Sequence, residues 1–115
     1  MQVPAEKPVL YCVDVRVEAA AASAWRQWMA SRHIPEVVAT GCFASAFFTL
    51  AGADGDAELY TMIYVAPRAA DLERYRAVFA PALQADHLQH FGAHVTTTRR
   101  ELEVIALYNA GAPRG

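Results

Sequence analysis

At 115 residues the chain has the length of one domain and not of two. Hydrophobic residues make up 55% and charged residues 19%, so part of the apolar excess is expected to be buried against another subunit. A formal net charge of −2, with the basic residues scattered, argues against nucleic acid as a main partner, because phosphate binding needs clustered Lys and Arg.

Met1 to Pro8 carries two prolines and two charges and no apolar core, so it reads as a flexible tail and not as a signal peptide. No apolar run approaches the roughly 20 residues of a spanning helix, which predicts a cytoplasmic protein with no membrane partner. Cys12 and Cys42 are too few for a disulfide framework. Both are expected on strands with another strand between them, roughly 10 Å apart and beyond disulfide reach.

Val9 to Val17 alternates as a strand, with Tyr11, Val13, Val15 and Val17 on one face and Asp14 and Arg16 on the other. Ala19 to Ala22 leads without a clear cap into a helix on which Trp25, Met29 and His33 are spaced by four, with Trp28 beside them. Pro35 is expected to stop that helix near His33 and to open a short turn that closes at Gly41, with Glu36 at its positive end. Cys42 to Leu50 and Glu58 to Val65 read as a hairpin around a loop over residues 51–57. Neither strand has a clearly polar face, and a sheet apolar on both faces needs covering on both. Helices in a chain of this length cover only one, so a dimer with sheets packed face to face is expected.

Pro67 and Asp71 open a second helical region in which Leu72, Tyr75, Val78 and Phe79 form an apolar stripe. Pro81 interrupts it and restarts a helix through Leu83, His87 and Phe91 that stops at Gly92. Ala93 to Leu107 reads as a last strand, and residues 108–115 as a tail. The order strand, helix, strand, strand, helix, strand over residues 9–107 is that of an α+β, ferredoxin-like βαββαβ domain: a four-stranded antiparallel sheet with helices on one face.

The run His33-Ile34-Pro35-Glu36-Val37-Val38-Ala39-Thr40-Gly41-Cys42-Phe43 follows a Trp-x-x-Trp-Met helix, and Phe91-Gly92 is followed by Arg99, Glu101, Leu102, Glu103, Val104 and Ile105. These two motifs resemble the signature of an uncharacterised bacterial family, domain of unknown function 4286, from about Val9 to Ile105. The resemblance implies a domain similar to the dimeric α+β barrel proteins, and implies no established reaction. That barrel group includes cofactor-independent monooxygenases, isomerases and haem-degrading enzymes, but a shared fold does not transfer a reaction.

His33, at the carboxyl end of the Trp25 face, fits a proton shuttle, a ligand contact or a helix-end cap, with capping or packing the heavier reading. Glu36 fits either a partner that orients His33 or a complement to the helix dipole. Arg99 fits a bidentate carboxylate ligand or a pair with a strand-borne acid such as Asp14 or Glu101, and the cross-strand Asp14 pairing is favoured. His87, His90 and His94 have a spacing that can seat a metal, but Gly92 redirects the chain between them and no carboxylate or thiolate falls beside them, so no metal or cofactor is expected. The leading expectation is a homodimer that binds a small organic ligand between helices and sheet near His33, Trp28 and His87, with Arg99 in reach. If it is an enzyme, proton transfer or oxygen chemistry without a cofactor is expected, with His33 and Glu36 as catalytic candidates. The rivals are a non-catalytic interaction module and haem or metal binding through the histidines.

Overall fold

A computed structural model describes residues 7–111; residues 1–6 of the expected leading tail and 112–115 of the expected closing tail lie outside the described residues. The chain runs β1 (Val9–Val17), α1 (Ala19–Trp28), a π-helical turn (Met29–His33), α2 (Ile34–Ala39), β2 (Ser45–Asp54), β3 (Ala57–Ala66), α3 (Ala69–Arg74), a second π-helical turn (Tyr75–Phe79), α4 (Ala80–Phe91) and β4 (Val95–Glu103). The four strands form one antiparallel sheet in the order β2-β3-β1-β4, which is the ferredoxin-like topology. The helices lie on one face.

Alternation along β1 sorts the two faces. Tyr11, Val13, Val15 and Val17 turn towards the helices and join a core with Trp25, Met29, Val37, Tyr60, Met62, Tyr64, Leu72 and Tyr75. On the other face Leu10, Cys12, Asp14 and Arg16 stand beside Val65, Ile63, Thr61 and Leu59 of β3. That face is apolar at the Phe47 and Leu102 end and polar where Asp14, Thr61, Arg100 and Arg16 bond or pair.

Several boundaries differ from the sequence expectation, each for a local reason. The expected hairpin loop over residues 51–57 is largely strand. β2 runs on to Asp54 through a bulge between Leu50 and Gly52, Gly55 at φ 60° makes the turn tight, and the Arg16 Nε–Asp54 Oδ2 pair at 3.0 Å ties the arm to β1. β4 ends at Glu103 rather than Leu107 because its partner β1 begins at Val9, and the Val104 N–H is taken by the Pro8 carbonyl at 2.9 Å. Cys42 precedes β2 rather than standing in it; it and Cys12 are both buried and free.

The main correction concerns the prolines. Pro35 does not stop the first helix: Ile34 keeps helical geometry at φ −62° and ψ −45°, and its N–H reaches back five residues to the Met29 carbonyl. Pro81 follows the same arrangement, with the Ala80 N–H on the Tyr75 carbonyl. In a regular α-helix the proline ring meets the carbonyl four residues earlier and withholds a donor. Where a helix changes from closing over five residues to closing over four, one carbonyl lacks a donor in any case and the wider turn gives the ring room. Each proline is the second residue of the α-segment that follows. The extra residue also shifts the buried stripe: after Tyr75 the next buried position is Ala80, five residues on, and Val78, expected in the core, is 62% exposed.

Deleting the exposed Ser31 from the first π-turn should turn it into regular α-helix with both buried faces in register and Pro35 inside it. The expected loss is about 3 kcal/mol in urea unfolding. Pro35→Ala in the deleted background should recover most of that loss, and equal stability of the deletion and the parent would show that the wide turn does not accommodate the proline.

Candidate functional site

Both π-turns open onto the same place. Met29 and His33 come from the first, Tyr75 from the second, Gln84 and His87 from α4, and Tyr11, Val13, Met62, Tyr64 and Arg99 from the sheet; together they line a cleft between helices and sheet. The enclosed space is about 20 Å³, room for about one water molecule. Outside it an open groove of about 530 Å³ is lined by Tyr11, Arg76, Gln84, Arg99, Arg100 and Glu101. Tyr11, Gln84 and Arg99 belong to both walls, so they separate cleft from groove.

The cleft's chemistry is set by one buried hydrogen bond. Trp25, fully buried, donates its indole Nε1–H to His87 Nε2 at 2.9 Å. An indole nitrogen is only a donor, so His87 Nε2 must be the unprotonated nitrogen, and the neutral ring carries its proton on Nδ1. Burial, and then the Arg99 charge, lower the His87 pKa, in keeping with a neutral ring.

Trp28 forms a second aromatic layer. Its ring stacks on His33 at 5.3 Å and on His87 at 5.9 Å, with His90 at 5.1 Å on its outer side. Arg32 sits over the same indole at 5.6 Å and donates to both carboxylate oxygens of Asp86 at 3.0 Å, clamping the first π-turn to α4. Within this layer Trp28 Nε1 and His33 Nδ1 are buried with no hydrogen-bond partner among the described residues. Such orphaned atoms are uncommon in folded proteins and mark places where a water or a ligand completes the bonding. His33 is pushed down to about 4, chiefly by burial and next by His87, so it is neutral at physiological pH.

The candidates from sequence divide clearly. His33, His87 and Arg99 line one cleft, with Trp28 packed against the two imidazoles. Glu36 does not join them: it is exposed and its carboxylate pairs with Arg32 at 3.5 Å rather than with His33. The expected Arg99–Asp14 pair does not form either, because strand alternation puts Arg99, opposite Val13, on the helix side. Arg100, on the Asp14 side, takes that carboxylate at 3.1 Å. The three spaced histidines separate. His87 turns inward, His90 bonds the Asp86 carbonyl at 2.8 Å, and His94 pairs with Glu18 at 3.1 Å beyond the end of α4. Among the described residues no cluster of three or more His, Cys, Asp or Glu is arranged to hold a metal ion.

Sequence reasoning missed Gln84 and the tyrosine wall. Gln84 stands three residues before His87 on the same helical face, and Tyr11 and Tyr64 stand at inward positions of their strands, so the signal was there in the spacing. Burial raises the pKa of Tyr64 and of Tyr75, which keeps both as neutral hydroxyls.

The match of residues 8–105 to domain of unknown function DUF4286 covers most of the sequence. The chain belongs to the DUF4286 family. No curated protein matches it. Its fold is shared with a dimeric ferredoxin-like protein from an uncultured marine organism at a TM-score of 0.66 and 12% identity, over 90% of this chain and 100% of that one. A protein of unknown function from Nitrosomonas europaea gives 0.65 and 13%, over 97% and 100%. A Deinococcus radiodurans protein provisionally named as an antibiotic biosynthesis monooxygenase gives 0.60 and 14%, over 90% and 99%. At such identities the likeness is one of fold, so the chemistry of this DUF4286 member rests on its own cleft residues.

The depressed His33 pKa has a thermodynamic consequence. Above pH 6.5 the unfolded and folded rings are both neutral; between pH 6.5 and about 4 only the unfolded ring takes up a proton, so stability falls as the pH falls through that window. The full effect is roughly 3 kcal/mol. Arg32, Arg99 and His87 oppose the charged ring, and Asp86 alone favours it. His33→Gln should therefore flatten the pH dependence of urea unfolding between those limits relative to the parent, whereas parallel curves would place His33 in contact with solvent.

Proposed function

We propose that this DUF4286 chain forms a homodimer in which each cleft binds a small organic ligand, with His33 and His87 presenting imidazole nitrogens to it. The observation that carries the reading is the convergence of His33, His87, Gln84 and Arg99 on one cleft, beside two buried polar atoms without partners. His87 has its lone pair committed to Trp25 and offers only an N–H, whereas neutral His33 retains a free lone pair. A donor and an acceptor held 5.5 Å apart, ring centre to ring centre, suit proton transfer on a small carbonyl or phenolic compound without a cofactor. Monooxygenase-like and isomerase-like chemistry both begin with such a step. An organic ligand larger than a water enters by displacing the Gln84 and Arg99 side chains, which are long and lie at the mouth.

The dimer reading rests on the helix-free face of the sheet, where Phe47 is 55% and Leu102 43% exposed, and on the dimeric state in the name of one fold neighbour. Phe47→Asp, which leaves the helix-side core untouched, should shift the protein from dimer to monomer, or to aggregates, in sedimentation. An unchanged mass would overturn this interface.

The small enclosed volume favours a second reading, an interaction module in which the cleft is simply a filled core and the sheet face receives another protein. A small-molecule fragment screen by amide and indole NMR separates the two. Ligand binding predicts shifts centred on Trp28, His33 and His87 that His33→Ala abolishes while the thermal midpoint stays nearly unchanged. Shifts confined to the Phe47 face, or unfolding of His33→Ala, would assign these histidines to packing.

A further inference from the structure

The groove outside the cleft is lined by three arginines and one carboxylate. Arg76 pairs with Glu101, and Arg100 reaches across the sheet edge to Asp14 at 3.1 Å. Arg99 is the exception: among the described residues it has neither an ion pair nor a hydrogen-bond partner, although it stands on the helix side of β4 opposite Val13 and lines both groove and cleft. Its charge lies near enough to His33, His87 and Tyr75 to influence all three. A guanidinium is planar, always charged and shaped to hold a carboxylate through two parallel hydrogen bonds. The cleft it lines is walled by flat rings: Tyr11 lies 5.9 Å from Tyr75 and 6.2 Å from Tyr64, and the His33 and His87 rings stand 5.5 Å apart, tilted by 38°. A cation at the mouth and flat rings behind it select a flat molecule with a negative end.

Deepening the ligand-binding reading and resting on it, we propose that the ligand class is a small planar organic acid, its carboxylate held by Arg99 at the mouth and its ring or enol directed inward to His33 and His87. Arg99 is then the residue that determines specificity. It orients the ligand, and the two imidazoles face the end where a proton moves. Arg76 and Arg100, their charges already matched by Glu101 and Asp14, do not compete for the carboxylate, and Arg99 is left as the unmatched positive charge lining the groove.

Benzoate and its neutral counterpart benzamide, titrated to about 10 mM against the full-length protein, test the assignment through the Trp28 indole N–H and the imidazole resonances. Benzoate should shift these signals and bind roughly tenfold or more tightly than benzamide, and Arg99→Gln should erase the difference. Arg99→Lys, which keeps the charge and loses the fork, should retain part of it, and Arg16→Gln on the opposite face should leave it intact. Equal binding of both probes, unaffected by Arg99→Gln, would overturn the acid proposal and leave ligand binding standing. No shift of the cleft signals with either probe would overturn both.

Discussion

The hydrogen bond from Trp25 to His87 is the constraint on which the interior depends. It joins side chains 62 residues apart, from α1 and α4, beneath which the sheet passes. An indole N–H buried in an apolar core must find an acceptor or cost the full desolvation of the group, and His87 is that acceptor. The same bond determines the His87 tautomer and with it the nitrogen that faces the cleft. Around it Tyr60 and Phe48 pack on the Trp25 ring at 4.8 and 5.7 Å, so the indole cannot turn away without opening the core. A structural contact thus sets the chemical state of a cleft residue.

The paired π-turns explain how two helical arms of ordinary composition deliver polar groups to one point. Each arm is an α-segment, a five-residue wide turn and a second α-segment with proline as its second residue. Widening the helix by one residue changes which side chains meet the sheet on either side of it. The first arm contributes Met29 and His33 to the cleft, and the second contributes Tyr75, Gln84 and His87. Wide turns recur at functional sites because they spend helix regularity on side-chain placement, and here the two occur at matching places in the two halves of the fold.

The sheet separates two tasks. Its helix side carries the core and the cleft, and its open side carries an apolar patch beside an ordered polar network of Asp14, Thr61 and Arg100. Membership of DUF4286 and the likeness to ferredoxin-like structures establish the fold and assign no reaction. In this chain the candidate site is marked by what its neighbours leave unfinished among the described residues: two buried polar atoms without partners and an arginine whose two neighbours are paired while it is not.

Much of this was legible in the residues. The alternation of Val9 to Val17 matched β1 at both ends, the order of elements specified the topology, and the spacing of Trp25, Met29 and His33, and of Leu83, His87 and Phe91, identified the inward faces. These are local properties, governed by a period of two or of 3.6 residues, and a sequence carries them in full. What tertiary structure alone decided was pairing and register. Arg99 and Arg100 are adjacent and alike, and only the antiparallel register against Val13 and Asp14 sends one to the cleft and the other to the carboxylate. Glu36 stands three residues from His33, yet Arg32, one turn back on the helix surface, holds it away. Pro35 and Pro81 carry the ordinary signal of a helix end, which the wide turns override because burial of the following segment against the sheet outweighs the loss of helix regularity. The partnership of Trp25 and His87 crosses more than half the chain, and no local pattern encodes a contact that exists only once the two helices lie side by side.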